Sequence, residues 1–522
     1  MTSLSLNRAR RIICFILFAL SFYLFSGCTV PKWLEEDLQD DLGTENNNTE
    51  NSTDYSVVFT LARYLGERLD PFLSRSRTNR DLLSLCYDPL IYVDNSSEAY
   101  CVIASEYEIY ENKVVFTLNS NARFFDGSYV TAADCEYSYS VALNEDSVYL
   151  DRFDYISDYE AVSSDKFVVY FNTNSIYNVN LCDIPIIKQG SNGDFIPIGS
   201  GKYKIMRDNA SVYLEKNPYS YLDTGDNFDI SIIRVHDIQS DEELLYNFNY
   251  NKIHGSYTDI TDNGSEFRGN IETIGFCDNS LVFAVVNKNF SHEFLLDKSF
   301  SKGLTYCINR SRICENILSG GTQPTWYPFN PDWTVTVDAD LNRDIYSTVT
   351  AHEYFNSCGL TLSGSDRVYG EELATLRIVV NSESLTKVEV AESIAEDLEN
   401  MGFSVTVEAL TWDKFTLAIT ERSYDIYIGE VLLPKNMDIS VLYSYDVNTG
   451  HGYVEEYIKE AVEAFNLGEM SMRDLLSVFQ EELPVIPLYF NRGALAVNRV
   501  VSGAFDPSDG SIYNGIENWK FS

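Results

Sequence analysis

The chain has 522 residues, enough for several compact units at about 100–200 residues each. Asp and Glu number 78 against 38 Lys and Arg, a formal balance of −40. That balance excludes nucleic acid as a partner, since such binding draws on clustered basic side chains that displace phosphate counterions, and an anionic membrane surface would repel the body of the protein. Hydrophobic residues at 45% and aromatics at 14%, with 36 Tyr and 30 Phe, exclude the disordered class, which has too little apolar surface to fold.

Arg8, Arg10 and Arg11 precede an apolar run from Ile12 to Phe25, followed by the small residues Ser26 and Gly27 and then Cys28. This order predicts a secretory signal peptide over 1–27, because the run is shorter than the about 20 residues a permanent spanning helix needs. Phe25-Ser26-Gly27-Cys28 resembles the lipobox of bacterial lipoproteins, with Phe25 where that motif prefers Leu; the resemblance implies a lipid on Cys28. Residues 28–53 are acidic and Asn-rich with almost no apolar pattern, which predicts a flexible, self-repelling tether. Cys14 goes with the signal. Cys86, Cys101, Cys135, Cys182, Cys277, Cys307, Cys314 and Cys358 remain; none stands in a C-x-x-C pair, so tetrahedral zinc spacing is absent, and they read mostly as free, buried thiols.

From the tether to residue ~290 the periodicity is mostly that of strands. Val57–Ala62 reads as one strand, 107–110 and 113–118 as a hairpin around Glu111-Asn112, and 202–206 and 211–215 as another around Asp208-Asn209. Thr131 with Asp134 imitates a capping box ahead of a helix over Cys135–Leu143, and Asp237–Asn249 reads as a further helix. Thr375–Val380 is a buried-strand run. Leu385, Val388, Ala391, Ile394, Ala395, Leu398 and Met401 then fall at helical steps, Gly402 supplies the stop, and Phe403, Val405 and Val407 alternate as a strand. Strand, helix and strand predict a parallel βαβ crossover, extended by a helix over Thr411–Arg422 and a strand over 424–428. The fold class expected is α/β, with more antiparallel character early in the chain.

Signatures of catalysis fail on their spacing. His292-Glu293 and His352-Glu353 lack the second His of a metalloprotease. Gly199-Ser200-Gly201-Lys202 has Ile196 where a phosphate loop needs its first Gly, and Tyr203 where it needs Ser or Thr. Asp338, Asp340 and Asn342 are followed by Arg343 where a calcium loop requires Gly. No nucleophile elbow occurs. With 78 acids, some carboxylate pair is inevitable, so a pair alone does not indicate a glycosidase.

Several segments, in order along nearly the whole mature chain, resemble the bacterial extracellular solute-binding proteins of family 5, which serve peptide-type ABC importers. They are Leu69-Asp70-Pro71, Leu85–Leu90, Ala104–Glu108, Pro197–Tyr203, Leu214–Tyr219 and Leu483–Tyr489, together with the most specific stretch, Phe116–Asp134, which is similar to the family's F-x-L … F-x-D-G … T-A-x-D pattern. The resemblance implies a periplasmic-binding-protein-like type II fold, two lobes around a hinged cleft with an extra inserted domain. The first lobe would comprise 54–87, 196–286 and 490–522, the inserted domain 88–195 and the second lobe 287–489. Implied with it are a monomer, lipid-anchored on the outer face of the cell membrane, that captures a peptide or other small solute and delivers it to ABC permease subunits, with no cofactor, no metal and no catalytic residue.

Residues that align with cleft positions are Leu65, Gly66 and Glu67, Tyr87, Ser200 and Gly201, Trp412, and Glu430, Val431 and Leu432. Trp412 could stack on a ligand or pack in the core. Peptide-binding members carry an Asp for the ligand's α-ammonium where this chain has Pro434; Glu430 or Asp438 could substitute for it, or be ordinary loop acids. A lipid-anchored hydrolase and a peptide sensor that does not transport are the competing readings.

Overall fold

The structure is a computed structural model that describes residues 58–193, 196–208, 211–220, 229–261, 267–288, 292–339, 345–443 and 456–521; the expected signal peptide, Cys28 and the tether lie outside them. Strand β1 (Thr60–Tyr64) is followed by helix α1 (Arg77–Leu83), whose N-terminus is capped by the Ser76 side chain. Strands β2 (Ala104–Tyr110) and β3 (Lys113–Leu118) form the hairpin expected around Glu111-Asn112. Helix α2 (Ala132–Ala142) begins at the expected cap, where the Asp134 carboxylate accepts from the Thr131 N–H at 2.9 Å and its hydroxyl at 2.6 Å. β4 (Ile156–Ala161) and β5 (Lys166–Phe171) complete an antiparallel sheet of order β2-β3-β5-β4.

The second expected hairpin is β6 (Tyr203–Asp208) and β7 (Ser211–Lys216). β8 (Ile232–Ile238) joins it and pairs in parallel with β1, giving the order β1-β8-β7-β6. The helix expected from Asp237 starts later, as α3 (Asp241–Asn249), because Asp237 and Ile238 still pair with Arg63 and Tyr64 and the Ser240 side chain accepts from the Glu243 N–H. β9 (Gly255–Asp259) and the long β10 (Ile271–Val286) follow, then α4 (Lys298–Cys307) and α5 (Thr348–Ser357).

The crossover read from the sequence is present. β11 (Thr375–Asn381), α6 (Leu385–Asn400) and β12 (Ser404–Leu410) bring Thr375 beside Ser404 and Asn381 beside Leu410 in parallel register. Leu385, expected on the buried face, is 76% exposed; it is the first residue after the Ser384 cap, and α6 begins to bury its side chains at Val390. The chain continues through α7 (Trp412–Thr420), β13 (Ile426–Leu432), α8 (Glu456–Asn466), α9 (Met472–Glu482) and β14 (Ile486–Asn498).

A six-stranded mixed sheet results, of order β9-β14-β10-β13-β11-β12. Its two faces follow the two-residue period of a strand. Val282, Ala284, Ile378, Val380, Ile426 and Ile428 pack against side chains of α4, α5 and α6, while Phe283, Val285, Val379 and Tyr427 pack against those of α7, α8 and α9. Burial on both faces explains why these strands read as continuous apolar runs.

Strands β10 and β14 belong to more than one core. Phe276, Leu495 and Val497 pack with β1, β7 and Trp519; farther along the same strands, Val282, Ala284, Ile486 and Leu488 pack into the six-stranded sheet. Between those regions the pairing breaks: Cys277 is opposite Arg492 and Leu281 opposite Phe490, so Asp278, Asn279 and Ser280 bulge out across from Asn491. A bulge bends its strand and re-aims the side chains it carries. Among the described residues the eight cysteines are free, and all but Cys101 are buried.

Candidate functional site

The bulge forms part of the wall of a small, partly open recess whose lining includes Cys277, Asn279, Asn95, Asn330, Lys435 and Asp509. Each residue is fixed by local chemistry. The Asp278 carboxylate accepts from the Ser280 N–H at 2.9 Å, a turn of the Asx kind that holds the bulge. Asn279 accepts from Asn330 Nδ2 at 2.8 Å. Lys435 follows β13; its Nζ lies 2.5 Å from the Asp183 carboxylate and donates to the Asp509 carbonyl at 3.2 Å. The Asp509 carboxylate in turn takes the Arg77 guanidinium at 2.6 Å, and that guanidinium lies over the Tyr257 ring.

Several bonds near the recess tie segments distant in sequence. The Thr334 N–H donates to the Ser96 carbonyl at 3.1 Å, Asn95 Nδ2 to Asp332 at 3.3 Å, and Asn436 Nδ2 to Asn178 Oδ1 at 2.9 Å. Asn180 Nδ2 bridges the carbonyls of Ser97 and Lys435 at 2.8 and 3.3 Å. Beside them Tyr177 stacks on Phe465 and meets Trp333 edge-on.

Charge is matched closely here. Burial raises the Asp183 carboxyl, but Lys435 and Arg152 beside it outweigh burial and hold it below the ordinary carboxylate range. Asp509 behaves alike, with Arg77 and Lys435 opposing burial. Asp278 differs. Burial pushes it up to about 7, the Ser280 N–H opposes this only in part, and Asp509, Asp259 and Glu430 push in the same direction as burial.

Glu430 lies on β13, the strand paired with β10. Its carboxylate accepts from Ser280 Oγ at 2.6 Å and Asn491 Nδ2 at 2.8 Å and pairs with Lys387. Burial raises its pKa, yet Lys387 and those two bonds together bring it below the ordinary range. Glu430 therefore braces the bulge against β13, β14 and the first turn of α6. Glu430→Ala is expected to strand the Lys387 ammonium and lower unfolding stability by about 2 kcal/mol, read by urea denaturation against Glu430→Gln, which keeps the Ser280 and Asn491 contacts and is expected to lose about half as much.

The other residues singled out from the sequence fall into distinct places. The Leu65 N–H bonds to the Ile238 carbonyl, Gly66 has φ of 97°, a left-handed position that favours glycine, and Glu67 accepts from the Ser76 N–H and Asn79 Nδ2, which commits it to the α1 N-terminus. Trp412 is 44% exposed with its ring near Phe415, so it is not a core residue; Val431 is half-buried and Leu432 exposed. Asp438 is buried, accepts from the Ser440 N–H and hydroxyl, and takes the Tyr155 hydroxyl, contacts that hold its own loop.

Tyr87, Ser200 and Gly201 need correction. Tyr87 is buried with its hydroxyl on the Pro197 carbonyl, and Ser200 is fully buried. Neither Gly199 nor Gly201 has a positive φ. Their need is close approach: a Cβ on Gly201 would lie 2.5 Å from the Cys86 carbonyl carbon and 2.6 Å from the Leu85 oxygen, and one on Gly199 would lie 2.2 Å from the Cys86 oxygen. Those three residues offer a solute no surface. Lys435, Asn95 and Asn279 are the residues that sequence reasoning missed. The polar interruption Asp278-Asn279-Ser280 inside a long apolar strand was the available signal for the last of them.

Residues 101–453 match the model of the bacterial extracellular solute-binding proteins, family 5. The oligopeptide-binding protein AppA of Bacillus subtilis (strain 168) is 20% identical over 492 residues, covering 85% of this chain and 88% of that protein. Among solved structures, the unliganded open form of the periplasmic murein tripeptide binding protein MppA superposes with a TM-score of 0.72 at 14% identity, covering 89% of this chain and 98% of that one. AppA from Bacillus subtilis in complex with a nonapeptide gives 0.55 at 15% identity, covering 89% and 99%. The fold expected from the sequence, two α/β lobes of the type II binding-protein kind, is the fold of these structures.

Proposed function

The chain belongs to the bacterial extracellular solute-binding proteins of family 5, and from that premise we propose that it is the capture subunit of a peptide-type ABC importer. Cys28 carries the lipid, residues 28–53 tether the body to the outer face of the membrane, and a monomer takes up a peptide or peptide-like solute and hands it to permease subunits. The lobes are those set out above: 54–87, 196–286 and 490–522 for the first, with 88–195 inserted, and 287–489 for the second. The observation that carries this reading is the passage of β10 and β14 through more than one core, with a bulge and a polar recess where the core changes. Two strands shared between cores can flex at their irregular point while each core stays packed, which is the hinge device of ligand-closing proteins.

Native mass spectrometry of the full-length protein, before and after denaturation, tests the reading. The expected result is a set of small co-purifying masses that fragment as peptides, bound saturably and released unchanged. Chemically altered products would instead favour the hydrolase reading. A deletion strain that keeps uptake of those solutes while losing a response to them would favour the sensor reading.

A further inference from the structure

Residues 176–183, in the segment read above as the inserted domain, meet the second lobe through one aromatic ring and a set of polar bonds. The Tyr177 ring stacks on Phe465 of α8 with centroids 5.5 Å apart and meets Trp333 edge-on at 4.9 Å. Polar bonds accompany it: the Ile176 N–H donates to the Asn466 carbonyl at 2.9 Å, Asn178 Oδ1 accepts from Asn436 Nδ2 at 2.9 Å, and the Asp183 carboxylate lies 2.5 Å from Lys435 Nζ. Next to Trp333, the Thr334 N–H crosses in the other direction to the Ser96 carbonyl at 3.1 Å.

The polar groups that meet are also held on their own sides. Asn178 Nδ2 donates to the Thr173 carbonyl at 2.9 Å, Asn436 Oδ1 accepts from the Asp438 N–H at 3.3 Å, and Asp183 has Arg152 at 3.2 Å. Separation would therefore leave Asp183 paired, and water would replace amide contacts whose net worth is small. The costly part is apolar: Trp333 and Phe465, both buried, would lose the Tyr177 ring to water. Polar bonds around a single aromatic anchor are the composition of an interface that opens and closes rather than of a permanent core.

We infer that this contact is a reversible clasp: Tyr177, flanked by the Asn178–Asn436 and Asp183–Lys435 pairs, draws the two sides of the cleft together in the empty protein, so that the closed arrangement is populated before solute arrives. The inference rests on the lobe boundaries proposed above and not on what the solute is. Apparent affinity is the intrinsic affinity scaled by the fraction of molecules already in the competent state, so the clasp tightens capture of any solute that the closed cleft accepts.

The test is hydrogen exchange on the full-length protein stripped of co-purifying solute, its emptiness checked by native mass spectrometry. The amides of Ile176 and Thr334, which donate across the clasp, are expected to exchange more slowly than loop amides yet faster than those of β11. Tyr177→Ala should speed both by about tenfold and leave β11 unchanged, whereas Tyr177→Phe, which keeps the ring, should match wild type. Lys435→Gln should speed both by about threefold, although the Lys435 side chain bonds to neither amide, which a loosening confined to the surroundings of Tyr177 would not do. If Tyr177→Ala lowers the protection of β11 as well, Lys435→Gln decides alone. Amides of Ile176 and Thr334 that exchange like loop amides in empty wild type would mean that closure waits for solute; protection unchanged by Lys435→Gln would mean that the contact does not open as one unit. Either result overturns the inference and leaves the peptide reading standing, since that reading is decided by the co-purifying masses.

Discussion

Replacing Gly201 by alanine is expected to destabilise the protein by about 3–5 kcal/mol, an effect confined to a few mechanisms of which backbone overpacking is one. The added methyl would press on the Leu85 oxygen and the Cys86 backbone. Neither can yield locally, because the Gly201 N–H donates to the Cys86 carbonyl at 3.0 Å, the Tyr203 N–H to the Leu85 carbonyl at 3.0 Å, and Asn217 Nδ2 to the Gly201 carbonyl at 2.9 Å. Separating the two segments to admit the methyl would break that set together. Ser200→Ala is the control: the Ser200 hydroxyl is buried without a protein partner, so its removal is expected to be neutral or to stabilise by up to about 1 kcal/mol. Urea denaturation of the two variants checks both. A Gly201→Ala variant as stable as wild type would mean that this seam is not packed as described.

Acid should destabilise the fold through His254. Its Nδ1 accepts the Thr60 N–H at 3.0 Å, a bond only the neutral ring can make, and the ring lies buried beside Phe59 and Phe521. Burial therefore lowers its pKa to about 4, with the Asn251 backbone opposing in part. Because the folded value lies below the ordinary 6.5, the unfolded chain binds more protons between them; the stability held above pH 6.5 is lost as the pH falls through 4. At pH 4.5 the loss is about 2.5 kcal/mol. His352, lowered by burial and by Arg367 beside it, acts in the same direction. Asp278, raised to about 7 by burial, acts in the opposite one: its contribution is full below the ordinary carboxylate range and is lost as the pH rises through 7. The difference in unfolding free energy between pH 7.5 and 4.5 is expected to be about 2.5 kcal/mol smaller in His254→Asn than in wild type, since every other group is common to both. An unchanged difference would contradict the burial of a neutral His254.

The parts of the fold legible in the sequence were those governed by local period. β11, α6 and β12 were plain because apolar residues follow steps of two and of three to four within one short stretch, and the α2 cap was plain because Thr131 and Asp134 are three residues apart. What escaped depended on residues far away in the chain. The start of α3 moved because Asp237 and Ile238 are held by β1, whose pairing no local pattern reveals. Tyr87 and Gly201 looked like cleft residues and proved to be the two sides of one buried seam. Glu430 was visible as an acid on a cleft-directed strand, but its partners Ser280 and Asn491 arrive from β10 and β14. Lys435 was not visible at all: its meaning comes from Asp183 and Asp509, each contributed by a different region of the chain.

Hydrogen exchange measured with and without a library of tri- to pentapeptides tests the central claim most directly, namely that solute is held where β10 and β14 pass from one core to the next. The expected result is protection gained at 93–97, 277–281, 330–334 and 434–438, with the outer helices α5 and α8 unchanged. Saturable binding that leaves those four segments unprotected, or that protects only the outer helices, would contradict it.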